Sequence, residues 1–279
     1  MTKLKTYLKH PFSFLMLILL VTAAVITVAS IIFIIVYILE KGIPNITGEL
    51  FSLHFNSKNQ SMLPSIINTV SITFLTLLFA VPIGIFSAIY LVEYAKKGSK
   101  LVKVIRITTE TLAGIPSIVF GLFGFLAFVI TLGWNYSMIS GVLTLTMMVL
   151  PTIIRTTEEA LLAVPDSYRE GSFGLGAGKL RTIFKIILPS AVPGILSGVI
   201  LAIGRIVGET AALIYTSGTV ADTATSLMDS ARTLSVHLYC LLNEGLFTEQ
   251  AYATAVILLL LVVGINALSN FVAKKIAKA

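Results

Sequence analysis

Long runs of apolar residues alternate with shorter polar segments along the chain. Six of these runs are long enough to cross about 30 Å of hydrocarbon as a helix. They cover roughly residues 12–39, 64–92, 111–132, 136–154, 187–217 and 251–273. The pattern therefore predicts an all-α, polytopic membrane protein with six transmembrane helices, whose two termini lie on the same side of the membrane.

The basic residues indicate which side that is. If the N-terminus is cytoplasmic, sixteen of the 20 Lys and Arg residues fall in cytoplasmic segments, three fall in outer segments, and Arg205 lies within a run. This bias is typical of membrane proteins, so we expect both termini in the cytoplasm. It also explains the formal net charge of +7 without a nucleic-acid partner. Cys240 is the sole cysteine, which excludes an internal disulfide and a multi-cysteine metal site.

The largest cytoplasmic segment, residues 155–194, has a helical pattern of its own. Its first part, RTTEEALLAVP (155–165), has acidic residues near its start and a proline at its end, which predicts a short helix. A second helix is predicted to begin near Ser167, to break around Gly174, Gly176 and Gly178, and to resume through KLRTIFKII (179–187).

The glycines of this segment do not form a phosphate-binding loop. GLGAGKL (174–180) has Phe173 where that motif needs a glycine, and Leu180 where it needs Ser or Thr. A preceding buried strand is also missing from the pattern. The chain is therefore not expected to bind ATP by this route.

The same segment contains a glutamate, a glycine six residues later and an Ile-x-Leu-Pro ten residues beyond it. The residues are Glu170, Gly176, Ile186, Leu188 and Pro189. This spacing resembles the coupling-loop signature of bacterial ABC importer permeases, in which two short helices joined at the glycine dock into a cleft of an ATPase subunit. Gly171 and Ser172 depart from the two alanines of that signature. The alternative is a basic loop that only fixes the topology.

Four further stretches resemble the phosphate ABC transporter permease family, and its PstA-type subunit more than its PstC-type partner. They are LVEYAKKG (91–98), TLAGIPSIVFGLFG (111–124), LPTIIRTTEEALLAVP (150–165) and GRIVGETAALIYTSG (204–218). Ala212 departs from the family pattern, where proline is expected.

The resemblance implies the type I ABC importer permease fold for residues 64–273, with the coupling loop at about 155–190. Residues 1–63 would hold the cytoplasmic N-terminus, the first transmembrane helix and an outer loop, and residues 274–279 a cytoplasmic tail. It also implies a bacterial inner-membrane pore subunit without catalytic activity, metal or cofactor of its own. The implied partners are a second homologous permease, an ATPase dimer that binds ATP and Mg²⁺, and an extracytoplasmic phosphate-binding protein.

Arg205 and Glu209 are the candidate pathway residues in the fifth run. A charge near the bilayer centre costs about 2.5–3.5 kcal/mol, so such residues usually have a function. Arginine presents a fixed fork of donors to phosphate oxygens, and residues four apart share a helix face. We therefore expect the pair to line the phosphate pathway, with the hydroxyl of Thr210 nearby. Glu209 would either hold Arg205 or, if protonated, donate to the substrate.

Other interpretations of these charges remain open. The pair could tie the fifth helix to a neighbouring helix without touching substrate. Arg155, at the inner end of the fourth run, is either a second anion contact or an ordinary basic anchor. At the level of the whole protein, the alternatives are a permease for a related oxyanion or a phosphonate, and an ion-coupled secondary transporter. The latter would need no coupling loop and would be expected to have an inverted repeat.

Overall fold

A computed structural model describes residues 11–96 and 98–276, and every regular element in this part of the chain is helical. Five helices are long and apolar enough to cross a membrane, and a bent pair of helices raises the number to as many as six. The predicted cytoplasmic N-terminus, residues 1–10, and the last three residues of the tail lie outside the described residues.

The helices are numbered here in chain order. They are α1 (Pro11–Gly42), α2 (Leu63–Ile89), α3 (Lys100–Ala113), α4 (Ser117–Gly124), α5 (Met138–Leu162), α6 (Asp166–Gly174), α7 (Lys179–Thr182), α8 (Leu188–Gly208), α9 (Ala211–Thr216), α10 (Leu234–Glu244) and α11 (Thr248–Ile276). π-Helical turns extend α2 through Tyr90–Tyr94 and α4 through Phe125–Thr131, and a third joins α7 to α8 through Ile183–Ile187. Two 3₁₀ turns, Ile43–Asn45 and Gly48–Phe51, follow α1.

Helix α5 lies at the centre of the bundle and packs against α2, α3, α4 and α8. Its inward side chains Val142, Leu145 and Met148 are fully buried, because apolar residues recur on one face at helical spacing. Gly198 of α8 lies so close to α5 that a Cβ atom there would be 1.9 Å from the Thr156 hydroxyl oxygen. Close backbone approach of this kind is how membrane helices associate.

Helix α1 stands apart from this bundle and packs along α11. Most of its apolar side chains are exposed, as expected for a helix surrounded by lipid. The contact is close at Gly42, where a Cβ atom would lie 2.4 Å from the Tyr252 carbonyl oxygen.

The third predicted span is a bent pair of helices and not one straight helix. Residues 111–113 complete α3, and the axis then turns by 103° before Ser117–Thr131. The turn falls at Gly114-Ile115-Pro116, because proline lacks an N–H and disfavours a helical residue before it. Most of α3 therefore precedes the span and carries Lys100, Lys103 and Arg106.

The fourth predicted span extends further than expected. Helix α5 continues without a break to Leu162, so the separate short helix predicted over 155–165 is wrong. The charges of Arg155 and Glu159 suggested a boundary, but they pair with each other within the helix. The helix ends just before Pro165, the first residue in this region that interrupts helical hydrogen bonding.

The loop between α9 and α10 is held against α2 by Asn68. The Asn68 amide donates to the carbonyls of Asp222 and Arg232, and its oxygen accepts from the Ala224 N–H. Asn68 is fully buried, so these bonds fix the position of the loop that follows the fifth span.

Candidate functional site

Arg205 lies on an open face of α8. The neighbouring residues Ile203, Ile206 and Val207 are buried, whereas a Cβ atom added at Gly204 or Gly208 would have no other atom within 4 Å. These two glycines flank Arg205 on the helix surface and leave space beside it. Within the described residues the half-buried Arg205 guanidinium makes no ion pair or hydrogen bond, so its donors are available to another molecule.

Glu209 lies outside the helix that carries Arg205, so the predicted continuous helix through both residues is wrong. Helix α8 ends at Gly208, and Glu209 has the extended conformation φ −70°, ψ 131°. Its Oε1 accepts a hydrogen bond from the Ala212 N–H at 3.1 Å, and its carbonyl accepts one from the Ser235 hydroxyl at 2.6 Å. A carboxylate is a strong acceptor for an unpaired N–H at a helix start, so Glu209 caps α9 instead of continuing α8.

The break in the fifth span lies directly beside Arg205. Thr210 has φ −124° and ψ −56°, and its hydroxyl donates to the Gly208 carbonyl at 3.4 Å. Interrupted helices persist in a membrane only where protein or a water-filled cavity satisfies the freed backbone groups. The break therefore brings Arg205 and the Thr210 hydroxyl into one short segment.

Ala212, the departure from the family pattern, has a clear consequence. Its N–H is the group that Glu209 binds, and a proline at this position would have none. The fifth span is interrupted here although alanine, not proline, stands at this position. The Glu209 side chain caps α9 by accepting from the alanine N–H.

Arg155 lies in a different environment from Arg205, and no contact joins them in the described chain. Its side chain is 64% exposed, and its Nε lies 3.0 Å from Glu159 Oε1. Arg106 of α3 pairs with Glu158 of α5 in the same pocket. This polar pocket of about 250 Å³ adjoins an apolar cavity of about 430 Å³ at Thr109 and Ile154.

Residues 166–187, called the coupling segment below, form the two predicted helices joined by a glycine turn. Helix α6 ends at Gly174, and Gly176 has φ +79°, a left-handed conformation that favours glycine. The Ser172 and Thr182 hydroxyls lie 2.8 Å apart and cross-link α6 to α7. Ser172, a departure from the alanine pattern, therefore has a structural task, whereas Glu170 and Gly171 face outward.

The second part of the signature anchors this segment to the membrane helices. Ile186 and Leu188 pack against a buried cluster that joins α2, α5 and α8, and Pro189 lies in the first turn of α8. Because α7, its π-helical turn and α8 form one continuous helix, Lys179–Gly208, the coupling segment leads directly to Arg205.

The tip of the coupling segment has an exposed apolar surface with basic residues around it. Leu175 is 91% exposed, and further large apolar side chains are open nearby. We call this the coupling surface; it consists of Phe173, Leu175, Leu180 and Phe184, with Lys179, Arg181 and Lys185 beside them. Exposed apolar patches rimmed by polar residues mark protein interfaces.

Arg169 and Glu93 were not identified from the sequence. Arg169 Nε and Nη2 lie 3.0 and 2.8 Å from Glu93 Oε1, across 76 residues of chain. The charged residues around each of them show no distinctive pattern, and no local spacing rule relates two residues so far apart in the sequence. Only the folded arrangement shows the pair.

Comparisons with known proteins agree with this architecture. Residues 80–278 match the family described as binding-protein-dependent transport system inner membrane component. The probable ABC transporter permease protein YqgI of Bacillus subtilis is 32% identical over 76% of this chain and 77% of its own length. The phosphate transport system permease protein PstA of Mycobacterium leprae is 38% identical over 68% of this chain, but the match spans only 62% of that relative.

A solved structure shows the same fold. The crystal structure of a bacterial ABC transporter involved in the import of the acidic polysaccharide alginate aligns with a TM-score of 0.70. The alignment covers 97% of this chain and 99% of that one at 17% sequence identity. The fold is therefore that of an ABC importer permease, as the coupling-loop spacing indicated.

Proposed function

The chain belongs to the family of binding-protein-dependent transport system inner membrane components, and on that premise we propose that it forms part of the pore that carries inorganic phosphate into the cytoplasm. The relatives named as phosphate permeases support this substrate. The single observation on this chain that carries the proposal is Arg205, which has no partner in the described part of the chain and lies on an open face of a membrane helix beside a helix break.

Arg205 has the chemistry that a dehydrated phosphate needs. The anion must give up water to pass through hydrocarbon, and a guanidinium replaces that water with charge-assisted hydrogen bonds. Thr210 adds a hydroxyl at the break. Glu209 keeps the break in place through its bond to Ala212, and it acts on the substrate only through that geometry.

The pore works with partner subunits. Membership of the family implies an ATPase and a substrate-binding protein, and we propose further that the second permease is a PstC-type chain and that both termini are cytoplasmic. ATP and Mg²⁺ would bind the ATPase, and this chain would hold no cofactor and catalyse no reaction. The coupling surface would dock on the ATPase, and the continuous helix Lys179–Gly208 would carry its movement to Arg205.

Arg155 is proposed as a weaker contact at the cytoplasmic end of the pathway. Its guanidinium forms an ion pair with Glu159, and the nearby Arg106 forms an ion pair with Glu158. A paired, exposed arginine binds an anion less strongly than an unpaired one, because its partner competes for the same donors.

The experiment is uptake of radiolabelled phosphate into vesicles that contain the complete complex, with sulfate and methylphosphonate as competitors. We expect uptake that requires ATP and that unlabelled phosphate suppresses at lower concentration than either competitor. Stronger suppression by sulfate or phosphonate would assign a different oxyanion. Uptake driven by an ion gradient without ATP would instead indicate a secondary transporter.

A further inference from the structure

Arg169 connects three helices at the base of the coupling segment. Its guanidinium donates to Glu93 at the end of the α2 extension. It donates to the carbonyl of Leu161 in the last turn of α5 at 3.0 Å and to that of Val164 just after α5 at 2.9 Å. It also donates to Asp166 of its own helix at 3.2 Å. One side chain on α6 therefore holds the ends of both α2 and α5.

The Arg169–Glu93 pair is largely removed from water. The two side chains are 15% and 8% exposed, whereas Asp166 is almost fully exposed. A shielded ion pair keeps its geometry far better than a surface pair, because competing water and salt are excluded. Asp166 is therefore a minor partner of the same guanidinium.

The two coupling helices are joined to the membrane in different ways. Helix α7 continues through its π-helical turn into α8, so a movement of α7 is transmitted along the backbone. Helix α6 has only residues 163–165 between it and the end of α5, and no helical connection to α2. Any force from α6 to α2 must therefore pass through side chains.

The end of α2 contacts both coupling helices. Glu93 binds Arg169 of α6, and the ring of the next residue, Tyr94, lies 4.7 Å from the Lys179 ammonium of α7. Below these contacts, Ile89 of α2, Leu161 of α5 and Ile187 before α8 belong to one buried cluster. A rigid junction at this point would move the three membrane helices together.

We infer that the Arg169–Glu93 pair is the positioning link through which displacement of α6 by the ATPase reaches α2. This inference rests on the proposed docking of the coupling surface on an ATPase. It assigns to the pair a task in transmission, beyond holding the segment folded. Neither residue touches the substrate, because both lie at the base of the coupling segment.

The test follows the opening of the pathway directly, without using phosphate. A thiol is introduced by Gly204→Cys in a Cys240→Ser chain, beside Arg205 on the open face of α8. The assembled complex is reconstituted in liposomes, and the rate at which a thiol reagent labels this chain is measured with and without Mg-ATP. Bound ATPase and ATP hydrolysis are measured on the same samples.

We expect Mg-ATP to change the labelling rate when the pair is intact. Arg169→Gln and Glu93→Gln should each reduce that change about tenfold, the usual scale of coupling between sites, while the ATPase stays bound and active. The double variant should be no worse than either single one, because the two residues act as a unit. Asp166→Asn, the matched control, should leave the change intact.

Three results would overturn the inference. In the first, Mg-ATP changes the labelling rate of Arg169→Gln to within about twofold of the change seen with the pair intact. In the second, Arg169→Gln loses the bound ATPase together with the labelling change. In the third, Mg-ATP does not change the labelling rate even when the pair is intact. The second result would mean that the pair only stabilises the fold. If phosphate uptake failed while Mg-ATP still changed the labelling rate as expected, the proposed substrate would be rejected. The inferred role of the Arg169–Glu93 pair would then still stand.

Discussion

Arg205 and Glu209 have different tasks although four residues separate them in the chain. Arg205 lies in the last turn of α8, where its guanidinium has no partner among the described residues, whereas Glu209 is 8% exposed and its carboxylate accepts from the Ala212 N–H. The carboxylate is thus occupied by the backbone. In the proposed pathway, Arg205 therefore supplies the charge for an anion in this part of the chain.

Substitutions of Glu209 separate capping from substrate contact. Glu209→Gln keeps an oxygen that can accept from Ala212, so we expect little loss of stability or transport. Glu209→Ala removes the acceptor and should lower the free energy of unfolding by about 0.5–2 kcal/mol. Thermal unfolding in detergent and uptake by the complex are the measurements. Transport that is lost in Glu209→Gln at normal stability would show that the carboxyl acts on the substrate.

His237 makes the stability of the region around α10 dependent on pH. Burial, and then the positive charge of Arg232, lower the pKa of the His237 imidazole to about 4 from its usual 6.5. Arg232 Nη1 lies 3.1 Å from Nδ1, so the neutral ring accepts this bond. The folded state therefore binds its proton at lower pH than the unfolded state does.

We expect stability to be fully present above about pH 6.5 and to fall by roughly 3 kcal/mol as the pH drops to about 4. His237→Gln should remove this part of the pH dependence. The measurement is the unfolding midpoint of both proteins between pH 4 and 7. A parallel fall in the two proteins would contradict the assignment to His237.

At the scale of helices, glycine positions decide how closely α5 and α8 pack. A Cβ atom at Gly198 would collide with Thr156, whereas Gly204 on the same helix has open space. We expect Gly198→Ala to lower the free energy of unfolding by about 1–3 kcal/mol through overpacking. Gly204→Ala, the control, should be neutral or raise it by up to about 1 kcal/mol. Equal effects in thermal unfolding would refute the close α5–α8 contact.

Hydrophobic runs predicted which residues enter the membrane better than they predicted where helices break. The bend before Ser117 has a visible cause, Pro116, but apolar residues on both sides hide it in a hydropathy pattern. The break at Glu209 depends on a bond from its side chain to Ala212. Periodicity cannot show this bond, because the same residues four apart would also suit a continuous helix.

The candidate site was partly predictable for the same reason. Arg205, Thr210 and Gly176 were identified from local residue types, and the structure has the predicted turn at Gly176. Glu93 and Arg169 meet only because α2 and α6 end together. Contacts between distant segments depend on the tertiary arrangement, and a single sequence does not specify which two charges will meet.

At the scale of the whole molecule, the coupling surface includes the start of the continuous helix Lys179–Gly208, and Arg205 lies near the other end of that helix. Leu175→Glu places a charge on an almost fully exposed apolar side chain, so stability should change by less than about 0.5 kcal/mol. We expect recovery of the ATPase with this chain to fall sharply on affinity purification. Leu246→Glu, an exposed leucine between α10 and α11, should not affect recovery. Full recovery with Leu175→Glu would contradict docking at this surface.

The central claim is that phosphate passes Arg205 on the open face of α8, and ATP-driven uptake by the complete complex tests it most directly. Arg205→Gln should reduce phosphate uptake by at least about tenfold, because a charge-assisted contact is lost, while the ATPase remains bound. Arg155→Gln should reduce uptake about twofold or less, because that arginine is exposed and paired. Normal uptake by Arg205→Gln, or an equal loss in both variants, would contradict the account.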